Sequence, residues 1–368
     1  MRPIAIPFSF LLAAIALLVT AGAAEKRAPT SAPKSDDWVT RAIPAPRVSH
    51  HVFTSASAGA RVSYHLFVPA AHEREGRRRF PVVYWLHGSG GGLAGIPQLA
   101  ALFDQAIESS RLPPCLVVFV NGLPDGMYVD WKDGSVKVES VIIRDLIPHI
   151  DAAHRTIAER SGRVIEGFSM GGYGATRLGF SHPQLFAGVS LLGAGPMQPD
   201  FSRAPRAGPN QRDEIFRRVY GGDHAFYLEK SPWSLVERRR DELKDLLILQ
   251  AIGDRDETFE NNRAFHERMQ SLSVAHTWSV IPGVGHDPMR LIRALGDDIW
   301  AFHRAAFARA ANSLRDRFRP SCRARIARPL SASDAERFPA RRGVRPGCRS
   351  RPPAGGRNLR RCRSETRH

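Results

Sequence analysis

Nearly unbroken apolar runs, spaced by amphipathic stretches, set the rhythm of this chain. Phe80 to Leu86, Leu116 to Val120, Ala187 to Leu192 and Leu246 to Ile252 are such runs. Each suits a strand covered on both faces in a parallel sheet. Arg61 to Pro69 alternates polar and apolar residues instead and predicts an outer strand. A short strand is predicted to start at Val164, and a last one runs from His276 to Ile281. Between them, helical periods cover Ile96–Ser109, Val138–Ala153, Met170–Ser181, Glu260–Leu272 and Pro288–Ala310. Strands alternating with helices predict an α/β fold with a mostly parallel, doubly wound sheet, as one domain over residues 61–311. Residues 199–240 break the rhythm with Pro, Arg and short helical pieces, and read as an insertion over the sheet edge, a partial lid. No internal repeat is visible.

The two ends read differently from this body. Arg2, the apolar run Phe8–Val19 and Ala21-Gly22-Ala23 form an n-region, an h-region and a small-x-small site, which predicts a signal peptide over 1–23 cleaved before Ala24. The competing reading is an uncleaved anchor, because Ile4 to Ala24 almost spans a bilayer. The expectation is a secreted or periplasmic protein with no stable membrane span after cleavage. Residues 24–60 form a leader, rich in Ala, Pro, Ser and Lys up to Ser35, and a lead-in to the domain. The formal net charge of +17 suggests a nucleic-acid binder, but its distribution does not. From Asn312 to His368, 17 Arg stand against 4 acidic residues, so +13 sits in the tail and +4 remains for residues 1–311. That tail, 312–368, has no apolar period and is expected to be disordered. It reads as an anchor to anionic surfaces, a nucleic-acid arm or translated read-through, of which the nucleic-acid arm fits an exported protein least; no nucleic-acid partner is expected. Of four cysteines only Cys115 lies in the body, as a small buried hydrophobe; Cys322, Cys348 and Cys362 lack metal-ligand spacing.

Candidate chemistry gathers where strands end, which is where open α/β sheets bind ligands. Gly167-Phe168-Ser169-Met170-Gly171 has the G-x-S-x-G spacing of a nucleophile elbow, in which flanking glycines let strand and helix pass closely around a strained serine. The loop after Phe80–Leu86, His87-Gly88-Ser89-Gly90-Gly91-Gly92, can aim backbone N–H groups at a developing oxyanion. The expected donors are the N–H groups of Ser89 and Met170. Neither phosphate-loop pattern is present in it. Gly253-Asp254-Arg255-Asp256 offers two carboxylates, either of which can orient a histidine. His286 follows the last strand on a glycine-flanked loop, whereas His266, His276 and His303 sit where structural roles suffice. The order Ser, Asp, His is the one an α/β-hydrolase uses. Tyr128, Asp130 and Trp131, in the loop after Val120, mix aromatic and acidic groups as a substrate platform would.

These strings resemble the putative esterase family of α/β-hydrolases, which includes feruloyl and acetyl-xylan esterases, enterochelin-esterase-like proteins, S-formylglutathione hydrolases and antigen 85 type mycolyltransferases. The resemblance runs from about Arg61 to Phe302. It rests on Tyr84-Trp85-Leu86-His87-Gly88-Ser89-Gly90-Gly91, Asp145-Leu146-Ile147-Pro148-His149-Ile150-Asp151, Gly167 to Gly174, Gly253-Asp254-Arg255-Asp256 with Asn262-Arg263, and Pro282-Gly283-Val284-Gly285-His286-Asp287. The last is similar to the family's P-G-G-H-[DE] loop with one extra Val. The resemblance implies the α/β-hydrolase fold, a triad of Ser169, His286 and Asp256 with Asp254 in reserve, and no metal or organic cofactor. It implies a serine carboxylesterase working through an acyl-enzyme on a small-molecule, carbohydrate or lipid ester. Acyl transfer to a sugar or lipid hydroxyl, and a non-catalytic binding module on the same fold, are the alternatives.

Overall fold

The computed structural model describes residues 35–206 and 208–317, with side chains from 37 to 308 apart from 207. The signal, the first part of the leader and most of the basic tail lie outside the described residues. Eight strands form one sheet: β1 Val48–Ser55, β2 Ala60–Phe67, β3 Val82–Leu86, β4 Leu116–Val120, β5 Arg163–Phe168, β6 Gly188–Leu192, β7 Leu247–Gly253 and β8 Thr277–Ile281. Their spatial order is β1-β2-β4-β3-β5-β6-β7-β8. β1 and β2 run antiparallel to their neighbours, and every pairing from β4 through β3 to β8 is parallel. This is the doubly wound, mostly parallel sheet that the apolar runs predict, in the α/β-hydrolase fold that the family resemblance implies.

The central strands explain the runs. All five residues of β3 are buried. Val82, Tyr84 and Leu86 face one hydrophobic cluster, and Val83 and Trp85 the other, as a period of two requires. The first face is covered by the helix Met170–Ser181 and the segment Val138–Ala153, the second by Ile96–Glu108 and the C-terminal helices. Burying both faces leaves no room for polar alternation, so the sequence reads as continuous apolar runs.

Several expectations need correction. The strand at Arg61 is not outermost: β1 lies beyond it, inside the segment read as a lead-in. Only Phe53 and Ser55 of β1 are buried, so VSHHVFTS carries almost no apolar signal. The helix expected over 288–310 is two, Pro288–Leu295 and Asp297–Arg317, broken at Gly296 with φ 59°. Its second half continues past residue 312, where the tail was expected to begin. The helix expected over 138–153 is wound as a π-helix from Val141 to Leu146, just ahead of Pro148, which has no N–H to give to the Arg144 carbonyl.

The segment 199–240 leaves from the end of β6, an interior strand, and not from a sheet edge. It forms a 3₁₀ turn, Phe201–Arg203, and the helices Pro209–Tyr220, His224–Lys230 and Pro232–Arg238. Phe201, Tyr220 and Tyr227 hold it together, with ring centroids 5.0 to 5.5 Å apart. No helix among the described residues is long and apolar enough to cross a membrane.

Candidate active site

Ser169 stands between β5 and the helix Met170–Ser181 with φ 59° and ψ −123°, a backbone conformation that strains any residue with a Cβ. The surrounding structure enforces it. The Ser169 N–H donates to the Leu192 carbonyl at 3.0 Å, and the Ser169 carbonyl accepts from Tyr173 and Gly195 at 3.0 Å each. Strand and helix cross so tightly that a Cβ on Gly167 would lie 2.3 Å from the Gly171 carbonyl oxygen. A Cβ on Gly171 would lie 2.0 Å from that of Leu86. Both glycines of the motif are therefore required by backbone contact with each other and with the end of β3.

His286 reaches this serine from the loop after β8. Its Nε2 is 2.9 Å from Ser169 Oγ, and its Nδ1 is 2.7 Å from Asp256 Oδ2. The other carboxylate oxygen of Asp256 accepts from the Thr258 N–H at 2.8 Å and hydroxyl at 2.7 Å. Burial alone would raise the Asp256 pKa, but the hydrogen bonds from His286 and Thr258 outweigh it and hold the carboxyl below its usual value. Asp256 is thus ionised and acceptor-only, which puts the imidazole proton on Nδ1 and leaves the Nε2 lone pair for the serine hydroxyl. The His286 and Asp256 side chains are 7% and 1% exposed, while Ser169 remains half-buried and reachable. The Phe168 ring packs on His286 with centroids 4.6 Å apart.

Asp254, the reserve carboxylate, is exposed and accepts the Gly283 N–H at 2.7 Å, so it fastens the histidine loop and does not touch the ring. The extra valine of that loop, Val284, is buried, and its carbonyl accepts the Arg255 N–H at 3.0 Å. A Cβ on Gly253 would sit 2.0 Å from that carbonyl oxygen, so the glycine ending β7 makes room for the insertion. Asp256, Glu257 and His286 also bring potential metal-ligand atoms within 4.8 Å of one another. Asp256 and His286 engage each other, and Glu257 pairs with Arg206.

The glycine-rich loop runs directly beside the serine: a Cβ on Gly88 would meet Ser169 Cβ at 3.2 Å. Ser89, Gly91, Gly92 and Met170 line the same cleft as Ser169 and His286. Met170 opens its helix, so its N–H has no intrahelical partner. The loop is fixed from below. Gly90 N–H donates to the Pro124 carbonyl at 2.8 Å, and the Tyr128 hydroxyl donates to the His87 carbonyl at 2.8 Å. His87 Nε2 accepts from the Gly122 N–H at 3.2 Å, and burial lowers the pKa of this histidine.

The proposed platform residues are not brought to the serine. Tyr128 is fully buried behind the glycine loop, its ring filling space that a side chain at Gly122 or Gly174 would occupy. Asp130 accepts from the Ser140 N–H at 2.9 Å and hydroxyl at 2.6 Å. Trp131 lies under the Arg218 guanidinium, 5.3 Å from the ring centroid. Asp130 and Trp131 line a separate cavity of about 320 Å³ together with Glu139 and His182. The cleft at Ser169, of about 430 Å³, is instead walled by Met127, Phe168, Thr258, Met289 and the 199–240 segment, which contributes Phe201, Arg212 and Ile215. Thr258 was legible as a Thr two residues after an Asp, a spacing at which side chain and backbone commonly bond. The lid residues carried no such signal.

The profile of the family described as "Putative esterase" matches residues 55–312. An endo-1,4-beta-xylanase/feruloyl esterase of Xylanibacter ruminicola is 29% identical over 167 residues, 42% of this chain and 22% of that protein. An esterase of Mycobacterium tuberculosis is 26% identical over 267 residues, 66% of this chain and 56% of its own length. The chain therefore spans between about a fifth and somewhat over half of the curated relatives it matches. A solved ferulic acid esterase superposes with a TM-score of 0.60 at 24% identity, over 71% of this chain and 98% of the other.

Proposed function

The chain belongs to the Putative esterase family, and from that membership we propose that it is an exported serine carboxylesterase hydrolysing esters through an acyl-enzyme. One observation carries the reading: the unbroken line from Asp256 through His286 to Ser169, at 2.7 and 2.9 Å. Ser169 Oγ attacks the ester carbonyl while His286 Nε2 takes its proton. The imidazolium is supported by Asp256 and passes the proton to the leaving alcohol. Negative charge on the former carbonyl oxygen is met by the N–H groups of Ser89 and Met170, each contributing roughly 3 kcal/mol. Water, activated by the same histidine, then releases the acid and restores the serine. Export rests on the N-terminal pattern ending at Ala23.

The cleft suits a small acyl group held on apolar walls. Two similar proteins are named for feruloyl or ferulic acid esters, so aromatic acid esters of carbohydrates lead the panel of substrates to try. The test is hydrolysis of an aryl- and feruloyl-ester panel by the native enzyme and by Ser169→Ala, with fluorophosphonate labelling of both. The reading requires turnover and labelling by the native enzyme, and loss of both in the variant. Turnover that survives the substitution sinks it.

A further inference from the structure

The charge lining the cleft is one-sided. Two arginines, Arg206 and Arg212, line it, and none of its described lining residues is Asp or Glu. Asp256 stands behind His286 and is already committed to it. Arg206 is answered by Glu257 at the exposed rim. Arg212 is not: it forms no ion pair with a carboxylate among the described residues. Its one side-chain hydrogen bond there runs from Nη1 to the Ala204 carbonyl.

That bond orients the guanidinium without neutralising it. Arg212 lies in the first turn of the helix Pro209–Tyr220 and is half-buried. A guanidinium carries five N–H donors in a planar fork, so one bond to a carbonyl leaves an edge free for a carboxylate. The walls nearby are Phe201 and Ile215, both buried, and apolar surroundings strengthen a charge pair relative to water. An ester with only apolar groups gives this cation nothing to bind.

We propose that Arg212 makes the cleft selective for esters that carry a free carboxylate, on either the acyl or the alcohol part. The proposal rests on the esterase reading of the Ser169 cleft and adds the class of substrate. Arg212 holds the remote carboxylate while Ser169 attacks the ester carbonyl, so it positions the substrate and takes no part in bond breaking.

The experiment uses two arms of matched esters with the full-length enzyme. The acyl arm compares mono-p-nitrophenyl succinate with p-nitrophenyl pentanoate. The alcohol arm compares 4-carboxyphenyl butyrate with 4-carbamoylphenyl butyrate. In at least one arm the native enzyme should favour the anionic member by about tenfold or more in kcat/KM, chiefly through KM. Arg212→Met should lower that anionic-to-neutral ratio by roughly 10- to 100-fold, the range for a lost hydrogen-bonded charge partner. Arg212→Lys should restore part of it, since the charge returns without the fork. Thermal melts check that both variants fold. Equal rates for anionic and neutral members in both arms would overturn the proposal, as would a ratio unmoved by Arg212→Met, while leaving the esterase reading intact. No hydrolysis of any of the four esters by an enzyme that turns over the aryl- and feruloyl-ester panel would overturn this proposal alone, and failure on that panel as well would overturn the esterase reading with it.

Discussion

Arg177 donates to the Glu139 carboxylate at 2.5 Å and to the Tyr128 carbonyl at 2.7 Å, tying the helix that follows Ser169 to the loop beneath the glycine-rich turn. The guanidinium is almost fully buried, so its counter-charge matters. Burial would raise the Glu139 pKa, but Arg177 and then His182 overcome this and bring it down from 4.5 to about 2. A depressed carboxylate stabilises the fold fully above its unfolded pKa and loses that contribution as pH falls through the folded value. The window is therefore from about 4.5 down to about 2, and the stabilisation involved is about 3 kcal/mol. Glu139→Gln should lose an amount of that order at pH 7, with the gap to the native protein narrowing as pH drops from 4.5 to 2. Urea unfolding at several pH values measures it; a gap that does not narrow in acid contradicts the assignment.

Ser169 and its glycine neighbours make a prediction that separates stability from activity. The strain at φ 59° and ψ −123° belongs to the Cβ and not to the hydroxyl. Ser169→Ala keeps the strain, whereas Ser169→Gly relieves it. Relief of roughly 1–3 kcal/mol is partly offset by the greater freedom of glycine in the unfolded chain, about 0.4–1 kcal/mol. The glycine variant should therefore be the more stable of the two by about 1 kcal/mol, with turnover lost in both. Paired thermal melts decide the sign.

The two aspartates of the acid loop should differ sharply in kinetics. Asp256→Asn offers His286 Nδ1 an amide in place of a carboxylate and disturbs the tautomer, so kcat should fall by roughly 10³–10⁴. Asp254→Ala frees only the Gly283 N–H from its side-chain acceptor. It should lower kcat by less than about tenfold, with KM little changed, because it loosens the loop and leaves the hydrogen-bonded line intact. Steady-state kinetics on one aryl ester compares both. Equal losses would mean that the loop, and not the carboxylate beside the imidazole, limits turnover.

What the sequence made legible follows from where physics acts locally. The doubly buried strands announce themselves because both faces demand apolar residues, and the elbow because backbone contact demands glycine at 167 and 171. β1 was hidden since an edge strand half in water tolerates polar residues such as His50 and His51. The fate of Tyr128 was hidden for a different reason. Its ring is called inward by absent side chains at Gly122 and Gly174, one near and one far along the chain, and no local pattern records that pairing. Arg212 joins the cleft only through the fold of the 199–240 segment, whose helices are short and held by aromatic contacts between them. Tertiary packing decides such positions, and periodicity is silent about them.

A last consequence concerns the strand that delivers the serine. Glu166, on β5, is fully buried beside His303 of the last helix, with 3.4 Å between Oε2 and Nε2. His303 Nδ1 donates to the Ile299 carbonyl at 2.7 Å, and the rings of Phe103 and Trp300 pack around the imidazole. Neither residue lines the cleft, so the pair bears on stability alone. His303→Leu leaves the Glu166 carboxyl without its polar neighbour in an apolar site and should destabilise by about 1–3 kcal/mol, the cost of stranding a buried polar group. Replacing both, as Glu166→Met with His303→Leu, removes the buried carboxyl together with its neighbour and should recover most of that loss. A double-mutant cycle in urea tests this. Recovery identifies the stranded carboxyl as the source, whereas a double variant no better than the single one would assign the loss to lost packing around the ring.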